Sequence, residues 1–469
     1  MTSELIPNLI SHQADSECFD FSRGFRIDAG PELDGVLELL ARGLDYYGIK
    51  HRVSGRGNLA LTLDSDMVPS QLRMEITTKR IKLSGGDCNS LCRAVGALLQ
   101  QIALAMRKGG RDRLLKPGTW TSVAHLQRRS VLLDCSRQFV SVRTIKALMS
   151  VMAQLGLNFF HWHLCDNQGW RYESRVLPGV EKTPDLSDGI YSRKDIAEIR
   201  SFASQLGIEI IPELELPAHA GQLLRHYPEY SCTPDNPGEE ICLGNPASLQ
   251  LGKKLLREMM DLFPESRWIH LGGDEAVGDN WRQCPRCQKA ASAYHGDMRE
   301  AEFHFMCQLA KFVTAVGRTP IIWGAGTGRY FPPGCVIQVW LAQNEGELAA
   351  KQGLHSTFSY HPFLYLDYPE TAGVPQYDWM CTSGERTVLH ANPWCCGNGD
   401  GKIDGVEACI WTEVIPEWRI SQMCLPRLLA VAEVACHPYE ERNWYDYLER
   451  RERLEGAGYL DYLRSLFLK

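Results

Sequence analysis

From Arg128 onward, short apolar runs recur, each followed by a stretch with helical spacing, and this alternation restricts the chain to a parallel α/β fold. The runs fall at Ser130 to Arg137, Asn158 to Leu164, Ile208 to Leu216, Trp268 to Glu275, Pro320 to Gly326, Val336 to Leu341, Ser356 to Asp367 and Gly405 to Glu413. Eight such units over roughly 340 residues match the size of a (β/α)8 TIM barrel with insertions. Polar and aromatic residues collect at the C-terminal ends of these runs: Arg137, Asp166, Glu215, Asp274, Glu275, Trp323, Trp340, Asp367, Trp411 and Glu413. In such a barrel that end carries the chemistry. The long connection from Tyr368 to Asp404 is expected to shape the site.

Residues 22 to 110 read differently. FRIDAG, a helix from Leu33 to Tyr47, NLALTLD, MEITTKRIKLSGG and a helix from Asn89 to Ala105 describe a small α+β domain with helices on one face of a sheet. Turn residues cluster at Lys116 to Trp120, so the expected division is 1–122 for the small domain and 123–469 for the barrel.

Fifty basic against 57 acidic residues give a net charge of -7, which offers nothing to nucleic acid or an anionic membrane. No run approaches the roughly 20 apolar residues of a membrane helix. A neutral substrate fits this balance. The start, MTSELIPNLISHQADSE, lacks a basic segment followed by an apolar one, and the expectation is a cytoplasmic protein. The 17 cysteines are scattered singly through apparent strands and helices and read mostly as free thiols.

The sharpest local feature is HLGGDEA, where an apolar run meets two glycines and then Asp274 and Glu275. Neighbouring strand residues point to opposite faces, so the glycines are needed to let both acids reach one ligand. A glycosidase requires such a division of labour, one carboxyl protonated and another ionised. On composition alone a solvated acidic pair is the commoner reading, and tryptophans in a barrel more often pack than bind.

The order of motifs resembles the family-20 glycoside hydrolases, the β-N-acetylhexosaminidases, across the small domain and nearly the whole barrel. LLDCSRQF is similar to the family's first strand with its sugar-binding arginine, here Arg137. FHWHLCDNQGWR resembles HWHLxDDQGWR, IPELELPAHAG resembles PExDxPGHxxA, and HLGGDEA resembles the segment with the catalytic pair. LYLD and GVEACIWTE resemble the YxD and GGEAxxWxE motifs.

The resemblance implies an exo-acting retaining enzyme in which the substrate's own acetamido oxygen attacks the anomeric carbon, with no cofactor and no metal. Asp274 would orient the acetamido nitrogen and balance the oxazolinium charge, while Glu275 would protonate the leaving oxygen and later activate water. That role implies a raised pKa for Glu275, promoted by burial and neighbouring acids. Tyr365 would donate to the acetamido oxygen. Trp323, Trp340 and Trp411 would wall the acetyl group and sugar, and Arg137, Asp367 and Glu413 would hold ring hydroxyls. Asp166, His163, His219 and Glu215 would support the catalytic pair. The chain departs from the family's pattern with Glu215 for aspartate, Asn167 for aspartate and Ala218 for glycine, and with Gly324 and Ala325 after Trp323 in place of an acidic pair. The extra methylene of Glu215 is expected to alter its contact with His219.

Other signals compete. His161 and His163 form an HxH on one face of a strand, as in metal-dependent amidohydrolases, and a sugar-binding barrel without turnover is a further alternative. Cys284 and Cys287 form a CxxC whose only evident complement is Cys395 and Cys396. GNGDGKIDGVE mimics a calcium loop through Asn398, Asp400, Gly401, Asp404 and Glu407, but Cys396 stands at its first ligand position.

Overall fold

The computed structural model describes residues 4–14, 17–106, 113–182, 189–324, 331–373, 377–393 and 403–468. Ahead of the barrel lie the strands β1 (Ile10–Gln13), β2 (Phe19–Asp20), β3 (Phe25–Asp28), β4 (His51–Val53), β5 (Leu59–Leu63), β6 (Gln71–Ile76), β7 (Ile81–Gly85), β8 (Leu114–Leu115) and β9 (Gly118–Val123). Seven of them form one mixed sheet in the order β1-β9-β6-β7-β5-β3-β4. The segment MEITTKRIKLSGG, read from sequence as one strand-like run, is the hairpin β6–β7, closed where Thr77 N–H donates to the carbonyl of Arg80 at 2.9 Å. KPGTW, read as turn, instead leads into β9, which pairs antiparallel with both β6 and β1. Two helices, α1 (Asp34–Tyr46) and α2 (Cys88–Met106), accompany this sheet. Helix α2 packs on β5, β6 and β7 with one side and on the barrel helix α3 (Val142–Leu155) with the other, which explains why its residues are buried almost all round.

The barrel strands are β10 (Arg128–Asp134), β11 (Phe159–His163), β12 (Glu209–Glu213), β13 (Trp268–His270), β14 (Thr319–Trp323), β15 (Val336–Val339), β16 (His355–Phe358) and β17 (Ile403–Ile410). They pair in parallel and in sequence order, and β17 closes on β10. Every residue of β10 and β11 is buried, as strands covered on both faces must be. Alternation then sorts the side chains. Phe160, Trp162, Ile210, Ile269, Ile322 and Ile337 turn outward into the main core beneath the helices. Phe159, Ile211, Ile321 and Val336 meet inside the barrel, with Trp268 against them, as an apolar plug. Two residues further along the same strands the interior becomes polar: His161, Glu213, Trp323 and Gln338.

Helix α3 shows how local sequence fixes an element: Ser141 caps its start by accepting from Thr144 N–H, and Gly156 ends it at φ +77°. One strand is shorter than expected. The run from Ser356 leaves the ladder at Phe358, turns through a short helix His361–Leu364 containing Pro362, and returns as a single parallel bridge between Tyr365 and Cys409. Pro362 sits in the first turn of that helix, where its missing N–H costs no hydrogen bond.

Candidate active site

At the C-terminal mouth of the barrel a cavity of about 580 Å³ is lined by Arg137, His163, Asp166, Glu215, His219, Asp274, Glu275, Trp340, Tyr365, Trp411 and Glu413, together with Leu341, His361, Tyr368 and Trp379. Its size is that of a small-molecule site. Asp274 and Glu275 reach it through the backbone anticipated from the glycines. Strand β13 stops at His270, and Gly272 and Gly273 then take φ of +68° and +100°. A Cβ on Gly272 would lie 1.5 Å from Glu215 Oε1, so both the backbone and its neighbour require glycine there. Glu275 and His219 both adopt φ of +50°, a region that L side chains rarely occupy and that tends to mark functional sites.

His219 faces both acids. Its Nε2 lies 3.4 Å from Glu275 Oε2 and 3.9 Å from Asp274 Oδ2, while its Nδ1 is 3.1 Å from Asp166 Oδ1. Burial opposes a charge on this imidazole, but Asp166 outweighs it and the pKa rises well above the usual value. Asp166 in turn holds Arg137 at 2.8 Å and His163 Nε2 at 2.9 Å. Burial raises its carboxyl, yet Arg137 and His219 more than offset this and keep it far below the ordinary range. Arg137 also lies 3.7 Å from Glu413 and stands 5.2 Å over the Trp411 ring.

The acids divide, but not in the expected sense. Burial raises Asp274 to about 6, against the lowering effect of His219. Glu275 was expected to be the raised member, and its pKa is instead lowered, first by the hydrogen bond from His219. The physical reason is position: the Glu275 side chain is 59% exposed and leans on an imidazolium, whereas that of Asp274 is 13% exposed. Glu215 also departs from expectation. Asp166 takes the contact with His219, and Glu215 turns under the pair to accept from Gly273 N–H at 3.2 Å. Burial, then Asp274, drives its pKa well above normal.

Trp340 and Trp411 line the cavity, as does Tyr365, whose ring centroid lies 6.0 Å from that of Trp411. Trp323 is placed differently. It stands behind that wall in the barrel interior, donating Nε1–H to Glu213 at 2.8 Å, and is 1% exposed. Asp367 lies just below the lining, accepting from Trp411 N–H at 3.4 Å, with burial and then Glu413 raising its pKa well above normal. Several buried polar atoms here have no hydrogen-bond partner among the described residues: Asp274 Oδ1, Asp367 Oδ2, Glu413 Oε2, Arg137 Nη1, and the indole nitrogens of Trp340 and Trp411. Buried polar atoms are nearly always satisfied, so this concentration suits a polyhydroxylated ligand.

Beneath the cavity lies a hub that sequence reasoning passed over. Glu213, fully buried, is contacted by His163 Nδ1, His161 Nε2 at 3.2 Å, His270 Nδ1 at 2.9 Å and Trp323. His161 Nδ1 also meets Glu407 at 2.8 Å. Burial works against both imidazolium ions, but the carboxylates outweigh it and hold His161 at about 9 and His163 at about 10. All four ring nitrogens of the HxH pair lie against carboxylates, those of His161 on Glu407 and Glu213 and those of His163 on Glu213 and Asp166. Alternation was the available signal, because His161, His163 and Glu213 all face inward. Of the calcium-like segment, Asp404 pairs with Arg128 and His355, and Glu407 belongs to the hub. Asn398, Asp400, Gly401, Ala325, Cys395 and Cys396 lie outside the described residues.

A family model for the catalytic domain of glycosyl hydrolase family 20 matches residues 127–438. The chain belongs to this family. It is a glycoside hydrolase acting on carbohydrate, and membership removes the amidohydrolase alternative. Among curated relatives, the chain is similar to a β-hexosaminidase of Akkermansia muciniphila, 27% identical over 417 residues that cover 82% of each chain. It is likewise similar to a β-hexosaminidase of Vibrio furnissii, 27% identical over 418 residues covering 81% of this chain and 67% of that one. Among solved structures, the family-20 β-N-acetylhexosaminidase of Streptomyces coelicolor superposes with a TM-score of 0.85 at 23% identity, covering 98% of this chain and 97% of that one. The last likeness concerns the fold. Among the described residues no helix is long and apolar enough to cross a membrane.

Proposed function

We propose that the protein is an exo-acting retaining β-N-acetylhexosaminidase that releases terminal β-linked N-acetylglucosamine or N-acetylgalactosamine through an oxazolinium intermediate. The observation that carries this reading is the unequal placement of two consecutive acids in one cavity, Asp274 enclosed and Glu275 at the mouth. An enclosed carboxylate with an unpartnered oxygen suits an acetamido N–H and the cation that forms beside it. A carboxyl at the mouth suits the departing glycosidic oxygen, where it would give its proton and then take one from water. In the free enzyme His219 keeps Glu275 ionised. A bound aglycone that excludes water and draws Glu275 off His219 would raise its pKa toward the value an acid needs.

Tyr365 stands on the wall beside Trp411, and there it would hold the acetamido oxygen toward the anomeric carbon. Arg137 and Glu413 on the lining, with Asp367 just below it, would hold ring hydroxyls. Relatives named as β-hexosaminidases support the substrate class. The test is turnover of p-nitrophenyl N-acetyl-β-glucosaminide and N-acetyl-β-galactosaminide beside the plain β-glucoside. Turnover confined to the 2-acetamido sugars is expected, and comparable hydrolysis of the glucoside would overturn the proposal.

A further inference from the structure

Two connections at the mouth of the barrel carry the groups that face each other across the catalytic pair. The one after β12 holds His219 and continues through Cys232 and Cys242; the one after β13 holds Asp274 and Glu275 and continues through Cys284 and Cys287. The sequence offered Cys395 and Cys396 as complement to the CxxC; among the described residues the fold brings Cys232 and Cys242 to it. The four sulfurs lie within 4.8 Å of one another, with Cys232 and Cys287 at 3.5 Å, Cys242 and Cys287 at 3.6 Å, and Cys242 and Cys284 at 3.9 Å.

Those separations decide between chemistries. A disulfide needs about 2.05 Å between sulfurs. A tetrahedral zinc site with Zn–S near 2.3 Å has sulfurs about 3.8 Å apart along each edge of the tetrahedron. The surroundings are those of a built site. Cys242, Cys284 and Cys287 are buried in a small cluster of their own with Ala218, Ala276 and Trp281, separate from the main core. Gly244 N–H donates to Cys287 Sγ at 3.3 Å, the kind of outer contact that steadies a ligand sulfur. A Cβ on Gly244 would come within 2.1 Å of the Arg286 carbonyl carbon, so only glycine lets the two connections approach this closely. Arg286, between the CxxC sulfurs, donates to the carbonyl of Ser231 at 2.8 Å, which sets a cation beside the cluster.

We propose that Cys232, Cys242, Cys284 and Cys287 form a structural zinc site that fastens the His219 connection to the Glu275 connection. Loading transfers the four thiol protons to solvent, and the resulting zinc tetrathiolate carries a net charge of two minus, which Arg286 partly balances. All four ligand positions come from protein, so the metal takes no substrate and enters no catalytic step. Its effect is geometric. Ala218 and Ala276, members of the thiol cluster, directly adjoin His219 and Glu275, both held at φ +50°. Two hydrogen bonds join the same connections, Gly278 N–H to Glu240 at 2.7 Å and Trp281 Nε1–H to the Ile241 carbonyl at 2.8 Å.

The test is metal content of the full chain, purified from zinc-supplemented medium under reducing conditions and dialysed against a chelator. About one zinc per chain is expected, falling below a tenth in the double variant C284S/C287S. Should that variant fail to fold, the unmodified chain is stripped and reloaded with cobalt(II), and the thiolate charge-transfer and intense ligand-field bands of a tetrahedral tetrathiolate are expected. Full zinc retention by a folded double variant would overturn the proposal. Failure of the unmodified chain to hold either metal would do the same, as would peptide mapping that finds these cysteines paired as two disulfides.

Discussion

The interior of the barrel and its mouth are both built from carboxylates and histidines, yet they are finished to different degrees. In the interior both oxygens of Glu213 have two contacts each, from His161 and His163 on one and His270 and Trp323 on the other. At the mouth Asp274, Asp367 and Glu413 each keep an oxygen without a hydrogen-bond partner among the described residues. A carboxylate with both oxygens engaged in a low-dielectric interior fixes geometry, because loss of a partner strands a buried charge. An unsaturated one is disposed to bind. His163 and Asp166 join the two, linking Glu213 outward to His219, which faces Asp274 and Glu275.

The comparison breaks most visibly if a mouth carboxylate proves structural. Glu275→Gln should lower turnover of poor leaving groups by about 10²–10⁴-fold, spare activated aryl glycosides relatively more, and leave Tm unchanged. A large fall in Tm would place Glu275 with the interior instead. The converse holds for Glu213→Gln. Removing this carboxylate from between two imidazolium ions should destabilise the fold by about 3–5 kcal/mol, read as a lower denaturation midpoint. A variant that keeps its stability and loses only activity would erase the distinction.

The smallest effect tests the link between the two zones. A cationic His219 lowers both Asp274 and Glu275. In His219→Gln both carboxyls therefore rise, Asp274 from about 6, and the whole pH profile of kcat/KM should move to higher pH. A profile that stays in place would show that His219 positions the pair without tuning it.

Much of this was legible in the chain. The eight strand-helix units follow from short apolar runs, because parallel strands buried on both faces need them. The acids at the end of β13 could be read because two glycines precede them. What escaped depends on distance in space. Glu213 and His270 stand in motifs whose other residues drew attention, and only the inward alternation of β11 and β12 marks them as partners. Trp323 follows the pattern of a sugar-contacting residue, yet its indole N–H is taken by Glu213, so it supports the wall from behind. Cys232 and Cys242 precede the CxxC by some 40 to 55 residues, and no periodicity announces that the chain brings them together. The altered acid at position 215 was noticed, but where its added methylene would go depended on the space beneath Gly272.

In the proposed mechanism the substrate's acetamido oxygen makes the transient bond to the anomeric carbon, with no side chain taking that place. Intact-mass spectrometry of acid-quenched enzyme during turnover of a 5-fluoro N-acetylglucosaminyl fluoride tests this directly, because the slowed steps let a covalent enzyme species accumulate. The unmodified mass of the chain is expected at every time point. A glycosyl ester on an aspartate or glutamate would contradict the account.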